Sequence, residues 1–197
     1  LVTIVSTFST YEQESLISQF NSIQAKIPFS ITEDFSYLLT LSDDLYSRSN
    51  GLFDPTIGPL LKVWGFGSNA TQSTSPSPMD IKKALRNVGF TKLIYESSSV
   101  LKTVPGVELD FSSIAKGYAV DEIADLLSDK SVLSAYIEIG GDLRTIGTKP
   151  NGEPWRIGIN RPDESAAVDD ILMAVPLENY ALATSGTYRQ SNIVNAL

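Results

Sequence analysis

Residues 109–123, LDFSSIAKGYAVDEI, place a carboxylate, two hydroxyls and a lysine where an apolar run becomes an amphipathic pattern. Asp110 ends the run, and Ser112 or Ser113 is suited to cap a following helix. Lys116 then falls in the first helical turn, where the helix dipole disfavours a cation. The stretch is therefore either an anion-binding helix start or a capped helix with a solvated lysine.

Residues 51–67, GLFDPTIGPLLKVWGFG, combine turn chemistry with two aromatic rings. Asp54 precedes a proline, a common turn pattern. Trp64 and Phe66 flank Gly65 after a short apolar helix. This run is either ordinary core or an aromatic platform beside a ligand.

Three further stretches carry glycines or hydroxyls at the ends of predicted elements. They are FSTYEQESLISQFN at 8–21, EIGGDLRTIG at 138–147 and ATSGTYR at 183–189. An N-terminal cap, a hairpin and an ordinary turn explain them without a ligand. Close backbone approach to a ligand is the alternative for the glycine pair.

Composition restricts the chemistry that these residues can perform. The 197 residues include no cysteine and no histidine, which excludes thiolate chemistry, Cys-ligated zinc and a Ser-His-Asp triad. Any metal site within them must use oxygen ligands, which favours Mg²⁺ or Ca²⁺.

Charge and hydropathy exclude two further classes of function. The net charge is −8 and lysines and arginines form no block, so nucleic-acid binding is not expected. No apolar run reaches the roughly 18 residues that a membrane span requires. The chain starts at Leu1 without a recognisable signal peptide, and we expect a targeting segment, if one exists, to lie outside it.

The hydrophobic periodicities predict an α+β fold, a mostly antiparallel sheet with packed helices, in one domain spanning 1–197. Helices are predicted at 15–21, 34–50, 58–64, 79–88 and 113–127. Strands are predicted at 1–7, 93–96, 107–111, 135–139, 144–147, 155–160, 171–175 and 181–183. A polar loop is predicted at 68–78.

Taken in order, these motifs resemble the ApbE family of FAD:protein FMN transferases from residue 9 to residue 189. The resemblance implies an FAD-binding, Mg²⁺-dependent enzyme that transfers FMN to a Ser or Thr hydroxyl of an acceptor flavoprotein subunit and releases AMP. An FAD pyrophosphatase and a non-catalytic flavin-binding protein are the alternatives. The resemblance also implies the periplasmic side of the cell envelope, often through a lipid anchor.

The resemblance implies roles for particular residues, and it assigns no catalytic residue. Asp110 is similar to the family's FAD-contacting acid, and Ser113 to a residue that helps to hold the metal. The expected cofactor-contact residues also include Tyr11, Trp64, Gly65, Phe66 and Lys116. The family's His-x-x-Asp-Pro and Asp/Thr segments are not visible, so we expect missing N- and C-terminal ends and an incomplete metal site.

Overall fold

The structure, a computed structural model, describes residues 1–66, 76–163, 165–167 and 169–186. The chain divides into two compact units, Leu1–Ala115 (unit 1) and Lys116–Leu197 (unit 2). Helices accompany antiparallel strand pairs in both units, which confirms the predicted α+β class. That the chain is a single domain stays a prediction.

Unit 1 is mainly helical with one small sheet. Its elements are α1 (Val2–Phe8), α2 (Leu16–Ser22), β1 (Phe29–Ser30), α3 (Glu33–Arg48), α4 (Gly58–Val63), α5 (Pro78–Leu85), the 3-10 turn Phe90–Lys92, β2 (Leu93–Glu96) and β3 (Ser99–Lys102). The antiparallel strand order is β1-β3-β2. Ser15, Thr32 and Ser77 cap α2, α3 and α5 by accepting backbone N–H groups, as short hydroxylic side chains do.

Phenylalanines dominate the core of unit 1. The Phe35 and Phe111 ring centroids lie 5.4 Å apart, and those of Phe8 and Phe111 lie 5.8 Å apart. Both pairs meet edge to face, a favourable arrangement for aromatic quadrupoles. Leu109 and Phe111 are fully buried, and the partly buried Asp110 lies between them in the chain.

The prediction of a strand at residues 1–7 is wrong, because this segment forms α1. Its hydroxyls support the helix: the Thr7 hydroxyl donates to the Thr3 carbonyl oxygen over 2.8 Å. Thr7 and Phe8 are buried, whereas Val2 and Val5 are exposed. One-sided burial at helical spacing has outweighed the strand preference of β-branched residues.

Strand assignments around residues 107–111 and 99–102 also differ from the sequence prediction, and the short strand β1 was not predicted. Residues 107–111 lie outside the named strands and make one isolated parallel bridge, between Ile57 and Glu108. The sequence does not predict β3, which pairs with β2 through the register Tyr95 opposite Val100. Polar residues at Ser99 and Lys102 hide its alternating burial.

Unit 2 packs one helix against a sheet. Its elements are α6 (Ala115–Asp129), β4 (Ala135–Ile139), β5 (Asp142–Ile146), β6 (Trp155–Asn160), β7 (Ile171–Leu177) and β8 (Ala181–Ala183). The antiparallel strand orders are β4-β5-β8 and β6-β7. Val120 and Ala124 of α6 pack with Ile137 of β4. Arg144 of β5 pairs with Asp121 at 3.0 Å and Asp125 at 3.2 Å.

The predicted loop at 68–78 falls largely outside the described residues, which resume at Pro76. Pro78 begins α5, one residue earlier than the predicted helix start. In the part of the chain that the structure describes, no helix is long and apolar enough to cross a membrane.

Candidate functional site

A groove on unit 1 brings together three residues that the sequence predicts as ligand contacts. It encloses about 730 Å³, and Tyr11, Phe66 and Asp110 all line it. Its other lining residues are Thr10, Gln13, Ser18, Asn21, Ser22, Gly58, Leu61, Lys62, Glu108 and Leu109. The Tyr11 side chain is 67 % exposed at its rim. We call this feature the unit 1 groove.

Asp110 is held in a tight turn. Its Oδ1 accepts the Ser112 N–H over 2.8 Å, and its own N–H donates to the Pro55 carbonyl oxygen over 2.8 Å. These contacts fix both backbone and carboxylate. The aspartate therefore presents an oriented hydrogen-bond acceptor to the groove.

The wall beside Asp110 depends on a side chain that stands in for a strand partner. The Asn21 amide nitrogen donates to the Leu109 carbonyl oxygen over 2.8 Å, and the Leu109 N–H donates to Asn21 Oδ1 over 2.7 Å. Asn21 lies on α2, so it joins two segments distant in sequence. Both polar groups of Leu109 are thereby satisfied outside a sheet, as buried backbone requires.

The start of α4 forms another part of this wall. A Cβ placed on Gly58 would lie 2.9 Å from the Glu108 Cβ, so only glycine permits this approach without displacement. Lys62 Nζ lies 2.5 Å from Glu108 Oε2. Lys62 is the one lysine or arginine among the described lining residues, which also include two acids.

Trp64 and Gly65 separate from Phe66 in the structure. Trp64 ends α4 and is partly buried, and Gly65 turns the chain with φ +77°. Neither is among the described residues that line the groove, whereas Phe66 is. Contact of Trp64 and Gly65 with a cofactor stays a prediction.

The Asp54 turn is structural. Asp54 Oδ1 accepts the Thr56 hydroxyl over 2.6 Å, and Asp54 Oδ2 accepts the Phe90 N–H over 3.0 Å. Thr56 in turn accepts the Gly89 N–H over 2.7 Å. This network anchors the loop before α4 to the 3-10 turn and explains the residues without a ligand.

Unit 2 brings three other predicted segments together. Lys116 Nζ donates to the Gly140 carbonyl oxygen over 3.0 Å and lies 3.9 Å from Asp142 Oδ2. The Thr184 hydroxyl donates to the Gly141 carbonyl oxygen over 3.3 Å. Gly140 and Gly141, both at positive φ, form the turn between β4 and β5, as predicted for a hairpin. The partners of Lys116 offset the helix-dipole cost without an anionic ligand, and its contact with a cofactor stays a prediction.

Ser113 is exposed in the turn that precedes α6. The helix begins at Ala115, so neither Ser112 nor Ser113 is the residue immediately before it, contrary to the predicted cap. Across residues 1–66, 76–163, 165–167 and 169–186, no group of three or more Asp, Glu, His or Cys side chains could hold a metal ion. The role of Ser113 as a metal ligand stays a prediction.

Sequence reasoning missed Asn21 and Lys102 as supports of the groove. Lys102 is buried, with 1 % of its surface exposed. The sequence contains a signal for the burial of Lys102, because Val100 and Lys102 are two residues apart and therefore share one face of β3. Asn21 has a weaker signal, a polar residue in the last turn of the helix that also carries Phe20.

Burial lowers the pKa of Lys102, and the positive charge of Lys62 lowers it further, against the opposing effect of Glu108. Desolvation is the largest of these causes, because a buried ammonium loses the water that stabilises its charge.

Comparisons with known proteins agree on one family. The sequence model of the ApbE family matches residues 1–195. A Vibrio cholerae protein named FAD:protein FMN transferase is 34% identical over 182 residues, which cover 92% of this chain and 54% of that protein. The Escherichia coli K12 protein of the same name is 31% identical over 186 residues, covering 92% of this chain and 52% of that protein.

Solved structures agree with this relationship. The flavin transferase ApbE from Vibrio cholerae matches with a TM-score of 0.88 and 32% identity, covering 96% of this chain and 61% of that one. The apo form of the flavinyl transferase ApbE from Pseudomonas stutzeri matches with a TM-score of 0.85 and 35% identity, covering 96% and 58%. The chain spans about half the length of the curated relatives it matches.

Proposed function

Because the chain belongs to the ApbE family, we propose that it binds FAD and transfers FMN to a hydroxyl group of an acceptor protein. The observation that carries the proposal is that Tyr11, Phe66 and Asp110, from three separate motifs, line the unit 1 groove. The names of the relatives in Vibrio cholerae and Escherichia coli support the same activity.

The proposed reaction is a displacement at phosphorus. The oxygen of an acceptor Ser or Thr hydroxyl attacks the FMN-side phosphorus of FAD, and the bond from that phosphorus to the bridging oxygen breaks. AMP leaves with the bridging oxygen, and the hydroxyl proton passes to solvent or a base. Such transfers depend on positioning and charge stabilisation more than on covalent intermediates.

The groove residues are suited to binding and orientation. The rings of Tyr11 and Phe66 offer flat surfaces to the aromatic parts of FAD. Asp110, held by Ser112 and Pro55, offers a fixed acceptor for N–H or O–H groups of the ligand. In this proposal, the chain's described residues place FAD and do not perform the proton transfer.

The pyrophosphate of FAD carries negative charge that the described lining residues do not balance. Lys62 is paired with Glu108, and Asp110 adds a second carboxylate. Dependence on Mg²⁺, with Ser113 among the ligands, belongs to the proposal through the family resemblance. Bound there, Mg²⁺ would supply positive charge against the pyrophosphate, and the described residues alone offer no group of three or more Asp, Glu, His or Cys side chains to hold it.

The test incubates the full-length protein with FAD, Mg²⁺ and a candidate acceptor flavoprotein subunit. Intact mass of the acceptor and chromatography of AMP are measured together. An acceptor heavier by one FMN, with equimolar AMP, is the expected result. AMP and free FMN without a mass shift would indicate an FAD pyrophosphatase, and FAD binding without AMP would indicate a non-catalytic flavin-binding protein.

The proposed place of action is the periplasmic side of the cell envelope, where the acceptor subunit would be modified. This part of the proposal is supported by the family resemblance alone. Fractionation of cells, with immunodetection of the protein in cytoplasmic, periplasmic and membrane fractions, tests it. Recovery only in the cytoplasmic fraction would contradict it.

A further inference from the structure

Lys102 is a buried cation with protein partners on several sides. Its Nζ donates to the Asn21 carbonyl oxygen over 2.9 Å and to the Val107 carbonyl oxygen over 3.1 Å. The same nitrogen lies 5.0 Å from the centroid of the Phe20 ring. A buried ammonium is costly unless such contacts satisfy it, so these partners stabilise the Lys102 side chain in this position.

These contacts converge on the wall of the unit 1 groove. Lys102 donates a hydrogen bond to the backbone carbonyl oxygen of Asn21. The side chain of Asn21 in turn hydrogen-bonds both polar backbone groups of Leu109. Lys102 also holds Val107, two residues before Leu109. Residues 107–110 belong to no named strand, and their backbone pairing includes the bridge of Glu108 with Ile57 and the bond of the Asp110 N–H to Pro55. The Lys102 and Asn21 side chains satisfy further backbone groups of this segment.

We propose that Lys102 is a positioning residue. Its hydrogen bonds brace Asn21 and residues 107–110, and the braced segment holds the Asp110 side chain in the position that contacts FAD. The choice of FAD as ligand rests on the function proposed above, whereas the bracing of the wall does not. Lys102 is not among the residues lining the groove, so it acts through Asn21 and Leu109.

Lys102→Met tests the bracing, because methionine keeps an unbranched apolar side chain and lacks the N–H donors of the lysine side chain. The Asn21 and Val107 carbonyl oxygens would then be buried without this partner. Val100→Ala is the matched control: Val100 lies on the same face of β3, is 1 % exposed, and does not line the groove. Both variants lower stability, and only Lys102→Met removes the brace.

Two measurements are made on the full-length protein. Hydrogen exchange reports the Leu109 N–H, which we expect to lose about tenfold or more of its protection in Lys102→Met relative to Val100→Ala, compared at equal global stability. Calorimetry reports the FAD dissociation constant, which we expect to rise about tenfold in Lys102→Met and to stay unchanged in Val100→Ala. In turnover, the KM for FAD rises more than kcat falls.

Each outcome decides between the claims. Equal Leu109 protection in the two variants would overturn the bracing, and lost protection with unchanged FAD affinity would overturn the positioning role. A wild-type protein that does not bind FAD would overturn the proposed function, while the exchange data still decide the bracing. If Lys102→Met does not fold, Lys102→Gln, which retains an N–H donor, replaces it, with smaller effects expected in the same directions.

Discussion

Asn21 and Leu109 form a two-point hydrogen-bonded pair, side chain to backbone, with distances of 2.8 Å and 2.7 Å. This pair joins α2 to the segment that carries Asp110, and the two residues are far apart in sequence. It has the geometry of a strand pairing supplied by one amide side chain. Its loss should therefore affect the whole wall of the groove.

Asn21→Ala is expected to lower the free energy of unfolding by about 1–3 kcal/mol, because the Leu109 N–H and carbonyl oxygen lose their partner. Urea unfolding followed by circular dichroism measures this change. Ser22→Ala is the control, since the Ser22 hydroxyl donates to the Gln19 carbonyl oxygen of its own helix, over 2.8 Å. An equal loss of unfolding free energy in both variants would show that the Asn21–Leu109 pair adds no stability beyond an ordinary helix-surface contact.

Asp110→Ala is expected to weaken FAD binding by about tenfold to a hundredfold, the range for a hydrogen bond to a charged acceptor. Asp110→Asn should show whether charge is needed, because an amide oxygen can still accept the Ser112 N–H. Calorimetry at fixed ionic strength measures the affinities.

The control for Asp110→Ala is Asp163→Ala. Asp163 accepts the Ser165 N–H over 2.8 Å in unit 2, so the change removes a comparable local turn contact outside the unit 1 groove. Unchanged FAD affinity in a folded Asp110→Ala protein would refute the assignment of Asp110.

Phe66→Leu and Trp64→Leu form a pair that separates groove contact from packing. Phe66 lines the groove and Trp64 does not, so the dissociation constant for FAD should rise about threefold to tenfold in Phe66→Leu and less in Trp64→Leu. Fluorescence anisotropy of FAD measures both constants. A larger effect from Trp64→Leu would restore the interpretation in which both rings border the flavin.

The pattern of residues predicted the helices of unit 1 well where capping and periodicity agree. Ser15 and Thr32 precede amphipathic runs, and α2 and α3 begin one residue after each. The segment that became α1 shows the opposite case, because packing of Phe8 against other rings is invisible in local sequence. Long-range packing therefore decided where local preference was ambiguous.

The sequence predicted residues that line the candidate site, but not the residues that support them. Tyr11, Phe66 and Asp110 stood out as chemically suited residues in separate motifs, and they meet in one groove. Asn21 and Lys102 did not stand out, because their roles depend on hydrogen bonds between residues far apart in sequence. Asn21 bonds to Leu109, 88 positions away, and to Lys102, 81 positions away. Such pairings have no short-range signature.

The hydroxyl of Tyr95 donates to Asp43 Oδ2 over 2.9 Å, joining β2 to α3. Burial, followed by the hydrogen bond and charge of Asp43, raises the pKa of Tyr95 from 10.0 to about 12. Between these values the unfolded chain releases the phenolic proton and the folded chain keeps it. Stability from Tyr95 is therefore complete below pH 10 and is lost as the pH rises toward 12.

We expect the stability advantage of the wild type over Tyr95→Phe to shrink between pH 10 and pH 12 and to be constant between pH 7 and pH 9. Urea unfolding at each pH measures it, and the lowered pKa of Lys102 cancels because that residue is present in both proteins. Tyr180→Phe, which removes an exposed tyrosine, is the control and should retain the wild-type decline. A constant difference across the alkaline range would show that the Tyr95–Asp43 contact does not hold the proton in solution.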